Sequence, residues 1–243
     1  GIKWETNVEQ NIGLDATLLE GKITVGIDYY KKKLKDLLGE VPIGGYAIPF
    51  GGNNIIKNAF TMENSGIELT FGVNQKIGAV NFTFNANFST LNNKVTGLDP
   101  ANKNSYVQQR LSNLGDVINA SSRTYIGERL GNFWGYVFDG IFQTDADAAA
   151  SGFEKVKAGD VRYKDLNGDK KIDGEDRMNL GNGLPGYLYG FNVRAEYKGF
   201  DLNIFCNGQG DVQIANMLKY YTSAITNRNG GLVNGGVEVL NSW

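Results

Sequence analysis

Six segments of the chain alternate apolar and polar side chains with a period of two. In the first, Ile12, Leu14, Ala16 and Leu18 face away from Asn11, Gly13, Asp15 and Thr17. In the second, Ile23, Val25, Ile27 and Tyr29 oppose Thr24, Gly26, Asp28 and Tyr30, and in the third Ile67, Leu69, Phe71 and Val73 oppose Glu68, Thr70, Gly72 and Asn74. The fourth sets Val80, Phe82, Phe84, Ala86 and Phe88 against Asn81, Thr83, Asn85, Asn87 and Ser89. The fifth sets Tyr187, Tyr189, Phe191, Val193, Ala195 and Tyr197 against Gly190, Asn192, Arg194 and Glu196, and the sixth Phe200, Leu202, Ile204 and Cys206 against Asp201, Asn203 and Asn207. A strand with one dry face produces this pattern, because successive side chains leave opposite sides of the pleat. The pattern predicts an all-β, antiparallel chain with strands over about 6–19, 22–34, 64–75, 79–91, 186–197 and 200–209.

Turn chemistry pairs these strands. Glu20-Gly21, the stretch QKIGA at 75–79 and Lys198-Gly199 each supply a glycine where a tight hairpin needs positive φ. At the other end the connections are long, over about 35–62, 92–184 and 210–243. Short turns at one end and long loops at the other are the layout of outer-membrane barrels. Strands of about ten residues also suit a tilted membrane crossing, which takes about 9–11. The polar face is rich in small and amide side chains, as a hydrated lumen would be. The plainer alternative is a soluble antiparallel sheet with one face on a core.

Composition narrows the chemistry. The 243 residues carry 24 basic and 26 acidic side chains and no histidine, a net charge of −2 without the basic excess of a nucleic-acid binder. The absence of histidine removes the commonest general base and zinc ligand, and the single cysteine, Cys206, leaves no disulfide or cysteine cluster within the chain. Histidine-dependent nucleophilic catalysis is excluded within it, and no enzyme activity is expected. No apolar run reaches the roughly 20 residues of a membrane helix. The chain opens on GIKWETN and closes on VLNSW, which reads as a portion of something larger.

The long connection at 92–184 has structure of its own. TYIGERLGNFWGYVFDGIFQT at 124–144 alternates only patchily and predicts bent or bulged strands. DADAAASGF at 145–153 predicts a short helix capped by Asp145, and IANMLKYYTSAI at 214–225 has helical spacing. Between them lies KDLNGDKKIDGED, 164–176. Calcium takes about six to eight oxygens, which a loop of about twelve residues supplies from alternate positions. Here the candidate ligands are Asp165, Asn167, Asp169, the Lys171 carbonyl, Asp173 and Asp176. Lys170 stands where the sharp turn ordinarily takes glycine, and Asp176 replaces the longer bidentate glutamate, as in dockerin-type loops. Both departures weaken the case for Ca2+, and the alternative is a solvated acidic turn that holds no ion.

The stretches WETNVEQNIGLDATLLEGKITVGIDYYKKKLKDLL (4–38), NSGIELTFG (64–72), GNFWGYVFDGIFQT (131–144) and AGDVRYKDLNGDKKIDGEDRMNLGNGLPGYLYGFNVRAEYKGFDLNIF (158–205), in this order, resemble the SusC/RagA family of TonB-dependent outer-membrane transporters. Gly159, Asp160, Tyr163, Gly181, Pro185, Tyr189 and Gly190 keep that family's register before a barrel strand. The resemblance implies a barrel of about twenty-two strands with an N-terminal plug, in the outer membrane of a Gram-negative bacterium. It also implies a SusD-like surface lipoprotein partner, energy from TonB, and glycan or oligopeptide cargo. The chain would then be an internal portion of the C-terminal barrel half, without the plug or the final strands.

Under that reading Asn85, Asn87, Asn192 and Arg194 point into the lumen and are candidate substrate contacts, and loop aromatics are candidates for stacking on sugars. The plainer role for each is ordinary wall packing. Two other functions remain open. One is a soluble, surface-exposed glycan-binding β-protein braced by the calcium loop. The other is a dockerin-like adhesion module, which needs duplicated loops where only one is present.

Overall fold

A computed structural model describes residues 2–42, 54–99, 106–107, 123–223 and 236–237. Along the chain the strands are β1 (Thr6–Leu18), β2 (Ile23–Pro42), β3 (Asn54–Ile77), β4 (Val80–Thr90), β5 (Asn92–Leu98), β6 (Tyr106–Val107), β7 (Thr124–Tyr125), β8 (Asn132–Tyr136) and β9 (Phe138–Ile141). Helix α1 (Asp145–Ser151), β10 (Val161–Tyr163), a 3-10 turn (Gly174–Asp176), β11 (Arg177–Asn182), β12 (Tyr187–Tyr197), β13 (Phe200–Gly210) and helix α2 (Met217–Thr222) follow. The chain divides into two units, one of residues 1–133 with 181–212 and the other of 134–180 with 213–243.

The first unit is an antiparallel sheet in the order β1-β2-β3-β4-β12-β13, with β5 pairing β3 beyond the end of β4. Its registers turn the alternation of single strands into rows. One apolar row runs Leu18, Ile23, Val73, Phe84, Val193, Ile204 across all six strands. The next runs Ala16, Val25, Phe71, Ala86, Phe191, Cys206. Aromatic side chains of these two adjacent rows meet diagonally at 6.1 Å (Phe71–Phe84) and 6.5 Å (Phe84–Phe191), the spacing at which offset rings attract. The interleaved rows are polar: Thr17, Thr24, Gly72, Asn85, Asn192, Phe205, then Asp15, Gly26, Thr70, Asn87, Gly190, Asn207. Phe205 is the exception on that face. A slip of one residue would exchange the faces of a strand, so the pattern itself enforces register.

The expected strand limits are extended in two places. β2 continues to Pro42 and β3 begins at Asn54, so most of the predicted loop 35–62 is the upper part of a long hairpin. The cause is a bulge between Leu34 and Leu38, where Asp36 takes φ 58° and the ladder shifts. It is stitched from the side: Asn58 Nδ2 donates to the carbonyls of Asp36 (2.5 Å) and Lys3 (2.9 Å), and the Leu38 amide donates to Glu5 (2.9 Å). A bulge inverts the side-chain parity, so alternation counted through it looks like a strand end. The second extension is β5, at the start of the predicted loop 92–184. Gly66 makes it possible. A Cβ there would strike the Thr90 carbonyl oxygen, so only glycine lets β4 bend at this point and run on as β5.

In the second unit, β9 pairs β10. Phe142 and Ala148 are buried in it, and the Phe153 ring meets Phe142 edge-on at 6.4 Å. Helix α1 falls where the sequence predicts one, but its cap is Thr144 rather than Asp145. The Thr144 hydroxyl accepts from the Asp147 amide (3.0 Å), while Asp145 instead accepts from the Ala158 amide (3.0 Å). Helix α2 is shorter than the helical spacing at 214–225 predicts, because Asn216 caps it late: its side chain accepts from the Lys219 amide at 2.8 Å.

Candidate functional site

The polar face of the sheet forms a concavity of about 690 Å³ within the first unit. Thr24, Glu68, Thr70, Asn85, Asn87 and Asn192 line it. Three of the four lumen residues named from sequence are therefore brought together. The fourth, Arg194, is instead closed into an ion pair with Glu196 at 2.5 Å, two residues along the same face. Asn192 donates to Asn203 at 2.7 Å. Glycines keep this face low. A Cβ on Gly72 would collide with Thr24, and one on Gly26 with Thr70. The surface offers amide and hydroxyl groups as donors and acceptors, one carboxylate (Glu68) and the Phe205 ring, an arrangement that can bind a polar solute weakly without trapping it. Thr24, Thr70 and Phe205 were not singled out from sequence, because only the register shows which residues of separate strands share a row.

A second node anchors the long connection. Val95 is fully buried; its amide donates to the Glu128 carbonyl (2.9 Å) and its carbonyl accepts from Gly127 (2.8 Å). Asn93 Oδ1 accepts from the Leu130 amide at 2.8 Å, and its Nδ2 donates to Asn64. Asn182 Nδ2 donates to both the Leu130 carbonyl and Asn132 Oδ1, each at 2.9 Å, while its Oδ1 accepts from the Leu184 amide at 2.6 Å. Arg129 clamps the same point, with 2.6 Å bonds to Asp211 and to the Leu184 carbonyl. Asn93, Asn132 and Asn182 are all buried, so each amide must be paired, and each is. The sequence shows these asparagines only as loop residues.

In the acidic loop each candidate ligand side chain is held by the loop's own amides. Asp165 accepts from the amides of Gly168 (2.7 Å) and Lys170 (2.8 Å). Asn167 accepts from Asp169 (3.0 Å), and Asp169 from Lys171 (2.8 Å). Asp173 caps the 3-10 turn by accepting from Glu175 (2.8 Å). Asp176 is buried and accepts from the amides of Asp173 (2.9 Å) and Leu166 (2.8 Å). Those amides, Asp173 first, hold its carboxyl below the usual aspartate range. Lys170 takes φ 64°, the left-handed geometry for which glycine is favoured. Its stem runs beside Gly152, the C-cap of α1. Among the described residues no three His, Cys, Asp or Glu side chains are grouped to hold a metal ion.

Comparison with known proteins places the whole arrangement. Residues 1–216 match the family described as TonB dependent receptor-like, beta-barrel. TonB-dependent receptor P3 of Formosa agariphila is 30% identical over 250 residues, covering 100% of this chain and 23% of that protein. TonB-dependent receptor SusC of Bacteroides thetaiotaomicron is 29% identical over 213 residues, covering 83% of this chain and 19% of that protein. Among solved structures, that of the RagAB peptide transporter superposes with a TM-score of 0.76 at 18% identity, over 100% of this chain and 24% of that chain. The chain thus spans about a quarter or less of the proteins it matches.

Proposed function

The chain belongs to the TonB dependent receptor-like β-barrel family, and from that membership we propose that it supplies barrel wall and extracellular loops to an importer of nutrients across the outer membrane. The observation that carries the proposal is the two-sided sheet. Its apolar rows stand uncovered, with Ile12 77% and Leu202 58% exposed, as lipid-facing rows of a barrel should be. The opposite rows carry amides and hydroxyls that suit a hydrated path for polar cargo. A soluble glycan-binding sheet would need a protein layer over those apolar rows. Among the described residues the buried apolar side chains are only Ala59, Val95, Phe142 and Ala148.

The relatives are TonB-dependent receptors and the RagAB protein is a peptide transporter; with the SusC/RagA resemblance of the sequence, the proposal extends to glycan or oligopeptide cargo, a SusD-like lipoprotein over the extracellular loops, and energy from TonB. The loop node at Asn93 and Asn182 would then be the fixed base of the extracellular structure. No residue in this proposal performs bond chemistry; the roles are wall, gate base and solute contact.

The test is uptake by cells that carry the full-length protein. Deleting its gene should abolish growth on one glycan or peptide source, and the gene in trans should restore it only while TonB is present. Growth unchanged on every such source, or restoration without TonB, would overturn the proposal.

A further inference from the structure

The apolar face of the sheet ends on lysines, and register places them together. On β2 the outward series Ile23, Val25, Ile27, Tyr29 continues as Lys31, Lys33, Lys35. Lys33 lies opposite Glu63 of β3, and Glu63 lies opposite Lys94 of β5, so Lys33, Glu63 and Lys94 form one outward row across three strands. Lys31 pairs with Glu63 at 2.9 Å, which confirms that these side chains share a face. Among the described residues Lys33, Lys35 and Lys94 have no carboxylate within ion-pair distance, and all three are exposed. One carboxylate therefore stands among four cations.

Their height follows from strand geometry. A strand rises about 3.3 Å per residue, or about 2.5 Å of height at a tilt of about 40°, so an apolar band about 25 Å tall takes about ten residues. Counted from Ile23, just past the short turn at Glu20-Gly21, the band on β2 ends near residue 32. Tyr29 and Lys31 sit at its upper edge, where aromatic girdles lie, and Lys33 and Lys35 stand immediately above. A lysine there can lay its stem on the apolar surface and lift its ammonium to the level of the lipid headgroups. The end with long loops is the extracellular one under the reading proposed above, on which this step rests.

We propose that Lys33, Lys35 and Lys94, with Lys31 completing the group, form a docking shelf for the phosphate-bearing headgroup of an outer-leaflet glycolipid. The apolar rows below receive its acyl chains and the cations above receive its phosphate. This combination selects a lipid over a free anion, since exposed lysines hold inorganic phosphate weakly. It also gives a reason for lysines on a lipid-facing row, where a nearby apolar environment otherwise disfavours charge.

The experiment measures phosphorylated glycolipid retained by the full-length protein after extraction from the outer membrane, by native mass spectrometry. The triple variant Lys33→Gln, Lys35→Gln, Lys94→Gln is expected to retain at least ten-fold less than the wild type, given about five-fold per lysine near an anionic surface. A Lys22→Gln, Lys198→Gln control at the opposite end of the strands should retain the wild-type amount. The corresponding triple arginine variant should retain it too, which separates loss of charge from loss of fold. Equal retention by the glutamine variant, equal loss in the control, or displacement of the lipid by millimolar inorganic phosphate would overturn the inference while leaving the barrel reading intact. A protein absent from the outer-membrane fraction would overturn both.

Discussion

Asn182→Ala should loosen the base of the long connection more than any single surface change. The Asn182 side chain bonds to the Leu130 carbonyl (2.9 Å), to Asn132 Oδ1 (2.9 Å) and from the Leu184 amide (2.6 Å). Alanine leaves these partners without it. Asn182 and Asn132 are 4% and 1% exposed, so water does not readily take its place. A net bond contributes about 1 kcal/mol, and an unpaired buried group costs about 1–3 kcal/mol. Asn132 keeps its bond to Glu128 and Leu130 keeps its amide bond to Asn93, which limits the damage to about 3 kcal/mol in total. The local opening equilibrium should therefore rise about 100-fold. Hydrogen–deuterium exchange of the full-length protein in detergent reads this directly, at the amides of Gly127, Leu130 and Leu184. Asn182→Asp should be at least as damaging, because it turns a carboxylate toward two acceptors. Exchange accelerated by less than about three-fold in both variants would refute the argument that this buried amide node anchors the loop.

Other outcomes follow from the acidic loop. The carboxyl of Asp176 is held below its ordinary range, so its contribution is present above that range and is lost as pH falls through the depressed value. Protease cutting within 145–184 should rise below about pH 4, and Asp176→Asn should bring that susceptibility to neutral pH. Lys170→Gly should stabilise the loop by up to about 1 kcal/mol by relieving the left-handed φ; destabilisation would show that the stem packed beside Gly152 matters more. If the loop's own amides suffice to hold these side chains, a calcium chelator should leave the cutting pattern unchanged, and chelator-dependent cutting would show that an ion is also required.

Much of the wall was legible before the structure, and the reason is physical. A strand between lipid and water must alternate strictly, so Ile23 to Tyr29 and Val80 to Phe88 announce both their element and their two faces. The limits were legible only where alternation persists. At Asp36 the bulge breaks parity, and at Gly66 the continuation onto β5 depends on a single missing Cβ. Neither leaves a periodic trace. The lumen surface was half legible. Asn85, Asn87 and Asn192 are conspicuous within their strands, but their union with Thr24 and Thr70 exists only across strands. The buried node at Asn93, Asn132 and Asn182 was not legible, since an asparagine in a loop usually marks a turn, and its burial is a property of distant contacts. Lys170 was legible as an anomaly, and φ 64° identifies the backbone demand behind it.

The chain's only cysteine provides the most direct test of the two-sided wall. Cys206 lies on the apolar row with Phe191 and Ala86, and the next residue, Asn207, lies on the polar row with Gly190 and Asn87. A spin label at Cys206 of the full-length protein in lipid bilayers, any cysteines elsewhere replaced, should relax with membrane-soluble oxygen and ignore a water-soluble nickel chelate. The same label at Asn207→Cys in a Cys206→Ser background should show the reverse. Equal, chelate-dominated relaxation at both positions would contradict a wall with one face in lipid and the other in water.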